Sequence, residues 1–213
     1  MRLKKVKGAK EIIENSMYYI PDPKLYRGKF KYLFFNNQPI YIEVGTGKGD
    51  FIIENAKKYP NINFIGIEKF DSVLVRAIEK AEKEEKELPN LKFIRMDALS
   101  IDEVFDKEIE RLYLNFSDPW PKNRHEHRRL SSTIFLKKYD GIFKDIKEIH
   151  MKTDNRKFFE FSLMSMVEYG YKLEMLSLNL YEDSIKDNIP TEYETRFVNL
   201  GMPIYKGIVK KMD

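Results

Sequence analysis

The sequence predicts an α/β fold, and three observations carry that prediction. Short apolar runs of strand length alternate with amphipathic stretches of helical spacing from Ile40 to Val209. A glycine-rich turn, Gly45-Thr46-Gly47-Lys48-Gly49, joins the first such run to the first helix. Acidic residues then recur just past the carboxyl ends of successive strands, at Glu68, Asp97, Asp118 and Asp154, which is where open α/β sheets gather their ligands.

At 213 residues the chain is long enough for one well-buried domain, and it shows neither internal repeats nor a low-complexity linker. With 42% hydrophobic residues and no apolar run near about 18 residues, it does not read as a membrane protein. Met1–Lys10 is basic but has no apolar core behind it, so it does not read as a signal peptide. The absence of cysteine excludes disulfides and thiolate metal ligands, and three histidines offer little to a zinc centre. No metal is expected, and a reducing cytoplasm is the economical inference. The net charge of +4 is too small to identify a nucleic-acid partner. Its distribution says more: residues 1–10 hold five basic side chains and no acid, and Lys122, Arg124, Arg128 and Arg129 face only Glu126. Either cluster suits phosphates, and a solvated basic helix start explains the second one as cheaply.

Residues 1–39 have no clean period and read as a basic tail and a segment draped over the domain formed by 40–213. Tyr18, Tyr19, Phe30, Tyr32, Phe34 and Phe35 are packing residues there, with base stacking open to Tyr18 and Tyr19 beside the tail. Ile40–Val44 is a strand, followed by the glycine turn and a helix through Tyr59. Gly45 and Gly47 let the backbone approach a ligand closely. Glu43, inside the strand, is ill placed for a pyrophosphate, which it would repel. The second strand, Asn63–Ile67, ends at Glu68, an acid suited to ribose hydroxyls or, alone, to capping the next helix. That helix runs from Asp71 to about Leu88, with Val73, Leu74, Ala77, Ile78 and Ala81 on one face, and Glu79–Glu87 forms its exposed end. Leu91–Arg95 is the third strand, and Asp97 after it is either a ligand contact or an N-cap.

Leu112–Phe116 is a fourth, buried strand, which Asp118-Pro119 ends. Pro121 stiffens the turn further, so a carboxylate, the single Trp120 and Lys122 are held together beyond a strand end. Arg124, His125, Glu126, His127, Arg128 and Arg129 follow at once. Ser131 to about Asp140 reads as a helix, Glu148–Lys152 as a fifth strand, and Arg156–Tyr169 as a helix that Asp154 or Asn155 caps. Lys172–Asn179 and Pro203–Val209 read as the last strands. Between them Thr191-Glu192-Tyr193-Glu194 fits a Thr-x-x-Glu capping box.

Asp-Pro-Trp-Pro-Lys with Arg-His-x-x-Arg-Arg, and Thr-x-Tyr-Glu followed by Arg-Phe, resemble the signatures of the bacterial tRNA guanine-N7 methyltransferases. The resemblance spans roughly residues 40–207, and those two motifs are its specific part. It implies a Rossmann-like class I methyltransferase fold, a seven-stranded mostly parallel sheet with helices on both faces and the last strand antiparallel. It also implies methyl transfer from S-adenosyl-L-methionine to N7 of a variable-loop guanosine in tRNA. That cofactor has no phosphate, and its amino group and sulfonium suit Glu43. On the resemblance, Glu43, Gly45, Gly47, Glu68, Asp97 and Asp118 contact the cofactor, with Asp118 also catalytic. Lys122, Asp154, Thr191, Glu192, Tyr193 and Glu194 contact the substrate, and residues 124–129 meet RNA. One departure is His127, where the family more often has Lys or Arg; a mostly neutral His weakens the phosphate patch slightly. Two other classes remain open. A methyltransferase acting on protein or a small molecule would leave the basic patch unexplained. An RNA-binding protein with a dead pocket would leave Glu43, Glu68 and Asp97 unexplained. Oligomeric state and tRNA preference are not legible.

Overall fold

The computed structural model describes residues 6–183, 185 and 187–212, so part of the basic tail, residues 1–5, lies outside it. Seven strands form one sheet: β1 (Ile40–Val44), β2 (Asn63–Glu68), β3 (Leu91–Arg95), β4 (Arg111–Asn115), β5 (Lys147–Thr153), β6 (Lys172–Ser177) and β7 (Tyr205–Lys211). Their order is β3-β2-β1-β4-β5-β7-β6, and only β7 runs antiparallel to its neighbours. The sheet is therefore the mostly parallel one expected. Strand β1 pairs with β2 on one side and β4 on the other, so the winding reverses there and the carboxyl ends of β1 and β4 open a crevice.

Helices cover both faces. On one lie α1 (Ala9–Glu14), α2 (Asp50–Lys58) and α3 (Asp71–Ala81), whose Phe51, Ile52, Leu74 and Ile78 pack with Phe64 and Phe93 of the sheet. On the other lie α4 (Ile101–Val104), α5 (Thr133–Asp140) and α6 (Arg156–Glu168), which bury Ile42, Leu112, Leu114, Ile149 and Val209. The last helix, α7 (Glu192–Asn199), stands between β6 and β7 in the chain. No helix among the described residues is long and apolar enough to cross a membrane.

Several elements differ from the sequence reading. Helix α3 stops at Ala81 rather than near Leu88, because Glu82–Glu87 offers no apolar side chain to bury. Strand β4 ends at Asn115, and Phe116 turns out of the extended region with φ 51°. Strand β7 begins at Tyr205, two residues after Pro203, which has no N–H for a ladder. The segment before β1 is also more embedded than a drape. Tyr18 is buried and its hydroxyl accepts the Leu88 N–H at 3.1 Å, which removes it as a stacking surface. Its carbonyl accepts the Phe93 N–H at 2.7 Å and the Ile20 N–H reaches the Phe93 carbonyl at 3.0 Å, so residues 18–20 cover the edge of β3. Phe30 is fully buried against Phe105, with ring centroids 4.6 Å apart.

Gly49 sets how closely α2 and α3 approach. Its φ is +83°, and a Cβ there would lie 2.8 Å from Ala77 Cβ. Gly49→Ala should therefore lose at least about 2 kcal/mol of stability from backbone strain and overpacking together, read as a lower urea midpoint with an unchanged m-value.

Candidate active site

The glycine turn leaves β1 with left-handed backbone at Gly45 (φ 80°) and Gly47 (φ 59°), and a Cβ on either would meet nothing within 4 Å. These glycines serve the turn and leave open space above it. The Gly45 and Thr46 N–H groups both donate to the Ile67 carbonyl, at 2.8 and 3.0 Å, which fastens the turn to the end of β2. Glu68 sits against it: Oε2 accepts the Gly47 N–H at 3.2 Å, and Oε1 accepts those of Lys69 and Phe70 at 2.8 and 3.0 Å. Burial pushes its pKa up against those three donors, with the Asp118 charge adding to the rise. Asp97 accepts the Leu99 N–H at 3.0 Å and the Lys69 ammonium at 2.6 Å. Partial burial pushes its carboxyl up, but those two donors outweigh it and hold the pKa below the usual range. It caps the short turn Ala98–Ser100 and also lines the pocket.

Glu68, Asp97 and Asp118 line one pocket of about 460 Å³ with Gly45, Gly47, Met96 and Trp120. Three strand ends thus bring three carboxylates together at the crevice. Glu43 lies under the turn, 2% exposed, where Oε2 accepts the Thr46 hydroxyl at 2.7 Å and Oε1 the Asn115 amide at 2.8 Å. Burial pushes its pKa up to about 7. A smaller cleft of about 70 Å³ beside the pocket joins Glu43 and Gly47 to Thr191, Glu192 and Tyr193.

The loop after β4 carries left-handed φ values at Phe116 (51°) and Trp120 (41°), conformations that cost about 1–3 kcal/mol each and persist where surroundings enforce them. Arg129 does the enforcing. Its Nε donates to the Pro119 carbonyl at 2.9 Å, Nη2 to that of Trp120 at 3.2 Å, and Nη1 to Glu126 Oε1 at 3.3 Å, with the guanidinium 4.1 Å from the Phe161 ring. Its side chain is 11% exposed. Arg129 therefore leaves the RNA-facing set expected from the sequence: it holds the loop by donating to the Pro119 and Trp120 carbonyls, while Glu126, 47% exposed, pairs with it. Arg128 lies 5.0 Å over the Trp120 ring and lines the pocket, and His125 meets that ring edge-on at 5.7 Å. Lys122, Arg124 and His127 are exposed.

The C-terminal motif divides. Thr191 and Glu194 form the capping box of α7. Glu194 is fully buried, with Oε2 2.5 Å from the Lys152 ammonium and Oε1 accepting the Tyr181 hydroxyl at 3.0 Å. It is a structural residue here, not one offered to a base as expected. Tyr193, half exposed, lines the pocket, its ring stacked at 6.4 Å on Phe116. Glu192 is exposed and pairs with Lys48 at 2.6 Å. Asp154 lies just past β5, outside the pocket lining, and Asn155 caps α6 in its stead.

A family described as "Putative methyltransferase" matches residues 37–207. Over 212 residues, 99% of this chain and 97% of the relative, the sequence is 49% identical to the tRNA (guanine-N(7)-)-methyltransferase of Bacillus velezensis. It is 50% identical over the same length, 99% of this chain and 96% of the relative, to the protein of that name from a Geobacillus species. The chain belongs to the tRNA (guanine-N7)-methyltransferase family. In fold it resembles an antibiotic-related methyltransferase (TM-score 0.66, 17% identity, covering 93% of this chain and 98% of that one). It resembles the 16S rRNA methyltransferase KamB less closely (TM-score 0.64, 14% identity, covering 87% and 93%).

Four polar residues that partner the acids around the crevice escaped the sequence reading: Thr46 and Asn115 on Glu43, Lys69 on Asp97, and Lys152 on Glu194. Asn115 and Lys152 carried a signal, each being polar at the end of an apolar strand, but nothing local named their partners. The buried Glu43 gives a pH test. From its usual 4.5 up to about 7, the folded chain keeps a proton that the unfolded chain releases. Stability should therefore fall as pH rises through that window, by about 1.4 kcal/mol per unit from this group, and level off above it. Urea titrations from pH 5 to 8 should show that part of the slope vanish in Glu43→Gln.

Proposed function

We propose that this chain transfers a methyl group from S-adenosylmethionine to N7 of a variable-loop guanosine in tRNA. The observation that carries the reading is the convergence of Glu68, Asp97 and Asp118 on one pocket beside the glycine turn. The near full-length identity to enzymes of that name supports it, and a cytoplasmic location goes with a tRNA substrate.

The residues fit the cofactor. Glu68 has three N–H donors on two oxygens, which leaves acceptor capacity for a ribose hydroxyl. Asp97 stands where an adenine amino group would donate, and Met96 and Phe70 flank it with apolar surface. Three carboxylates against two cations, Lys69 and Arg128, disfavour a pyrophosphate and suit a cationic, phosphate-free ligand. When bound, S-adenosylmethionine supplies a methyl group activated by its sulfonium.

Guanine N7 attacks through a lone pair in the ring plane, so the site has no proton to remove before reaction. What the protein must supply is alignment and charge complementarity as the guanine becomes cationic. Asp118 does this, accepting hydrogen bonds from N1–H and the N2 amino group of a base turned out of its stack. Tyr193 and Trp120 offer ring faces at the rim. Lys122, Arg124, His127 and Arg128 meet the RNA backbone, and Thr191 flanks the base site.

Methylation of unmodified tRNA, followed by cleavage specific for N7-methylguanosine, tests the activity. Asp118→Asn should fold normally and bind S-adenosylmethionine nearly as well, while kcat falls by roughly 100-fold or more. A lowered melting temperature with wild-type single-turnover methylation would reduce Asp118 to a turn cap. The revised basic set gives a second test. Replacing Arg124 and Arg128 with Ala should raise the tRNA Kd and reduce the slope of log affinity against log salt by about 1–2. Arg129→Ala should instead lower the melting temperature, since its donors serve the loop backbone.

A further inference from the structure

The half of the sheet made by β4, β5 and β7 has two unlike faces. Leu112, Leu114, Ile149, Met151 and Val209 belong to the core shared with α5 and α6. The alternate residues share the opposite face: Arg111, Tyr113 and Asn115 on β4, His150 and Lys152 on β5, Lys206 and Ile208 on β7. A sheet buried under helices on both faces carries apolar residues on both. Here one face is charged, and Ile185, Asp187, Asn188 and Ile189, not a helix, reach over it. Lys152 holds that cover, donating to the Ile189 carbonyl at 2.8 Å and to Asn188 Oδ1 at 3.2 Å.

Between cover and sheet lies a cavity of about 410 Å³ that shares no lining residue with the pocket of Glu68 and Asp118. Aromatic rings form one wall, with Tyr41 and Tyr113 6.2 Å apart and Tyr113 5.0 Å from Phe51. Cations stand among these rings: the Arg111 guanidinium lies 4.4 Å over the Tyr41 ring and the Lys152 ammonium 5.0 Å over that of Phe51. Arg111 pairs with Glu148 at 2.7 Å, the same carboxylate meets His150, and Lys152 pairs with Glu194. Asp187 at the rim pairs with Lys58 at 2.9 Å. Lys206 has no such partner: among the described residues no carboxylate lies within ion-pair distance of it. The antiparallel register also sets it directly opposite Lys152, an arrangement of like charges that destabilises a sheet. Burial first, then the Lys152 and Arg111 charges, push its pKa down against the distant pull of Glu194.

We infer that this cavity binds a planar aromatic anion of the nucleotide class, its ring against Tyr41 and Tyr113 and its phosphate on Lys206 and Arg111. The volume falls within the roughly 300–1,000 Å³ of small-ligand pockets, and a phosphate supplies the counter-charge that the fold withholds from Lys206. The same chemistry is presented by a free mononucleotide and by a nucleotide of an RNA chain. The inference stands independently of the methyl-transfer reading, since the two pockets are separate.

Calorimetric titration of the whole protein with adenosine 5′-monophosphate, in saturating S-adenosylhomocysteine, tests it. One saturable site is expected, with adenosine and inorganic phosphate each binding about tenfold or more weakly because each lacks one half of the contact. Lys206→Met should weaken the mononucleotide by about tenfold or more while leaving S-adenosylhomocysteine affinity unchanged. Without ligand, its melting temperature should stay at or above that of the wild type, because an unpaired charge has been removed. Displacement by unmodified tRNA would assign the site to an RNA nucleotide, and its absence to a free one; either upholds the site. No saturable binding would overturn the inference. So would binding that survives Lys206→Met and is lost in Asp118→Asn, which would place the nucleotide in the other pocket.

Discussion

The ammonium of Lys152, 4% exposed and 2.5 Å from the Glu194 carboxylate, stands where the last turn of β5, the cover segment and the start of α7 meet. A buried pair of this kind is not a large net source of stability, because both ions lose their hydration. Its effect falls on the alternatives. Losing either partner leaves an uncompensated buried charge at a cost of about 3–5 kcal/mol, so other arrangements are strongly disfavoured. Glu194 also completes the capping box of α7, and the next residue back, Tyr193, is thereby set at the rim of the pocket. The Lys152 charge also lowers the cost of ionising Glu43, one strand away beneath the glycine turn. One interaction thus links the start of α7 to the glycine turn across the crevice.

The loop that carries Asp118 is fixed by a different balance. Two prolines remove backbone donors and restrict their neighbours, and two residues adopt left-handed conformations unfavourable for side chains of their size. Three hydrogen bonds from Arg129 and its contact with Phe161 offset that strain. The loop is rigid because an arginine from the following turn reaches back into it. Asp118 is thereby presented at the pocket without a hydrogen-bond partner of its own being required to place it.

The charges sort by depth. Carboxylates at Glu43, Glu68, Asp97 and Asp118 gather at the strand ends, Lys69 and Arg128 line the same pocket, and Lys122 and Arg124 are exposed on the loop that follows. An anionic backbone is drawn to the rim, and a cation or a base rich in donors is favoured within. That distribution suits a cation within the crevice and a polyanion at its rim.

The sequence by itself determined the order of strands and helices from Ile40 onward, the glycine turn and the acids at the strand ends, but not the helix Ala9–Glu14. These are written in local spacing: period 2 in strands such as Glu148–Lys152, helical spacing from Val73 to Ala81, and Gly45 and Gly47 at one strand-to-helix junction. It could also pair Thr191 with Glu194, since a capping box is a contact three residues apart. Only the tertiary structure decided which charged side chains face ligand and which serve the fold. Arg129 and Arg128 are neighbours of the same type, yet one ties Pro119 and Trp120 while the other opens on the pocket. Glu194 turns inward because Lys152, 42 residues away in the chain, needs a counter-ion inside the sheet. Lys206 meets Lys152 only because β7 inserts antiparallel beside β5. A charge has no period, and its direction is set by whichever distant group lowers its cost of burial, so the fold had to form before those roles could be read.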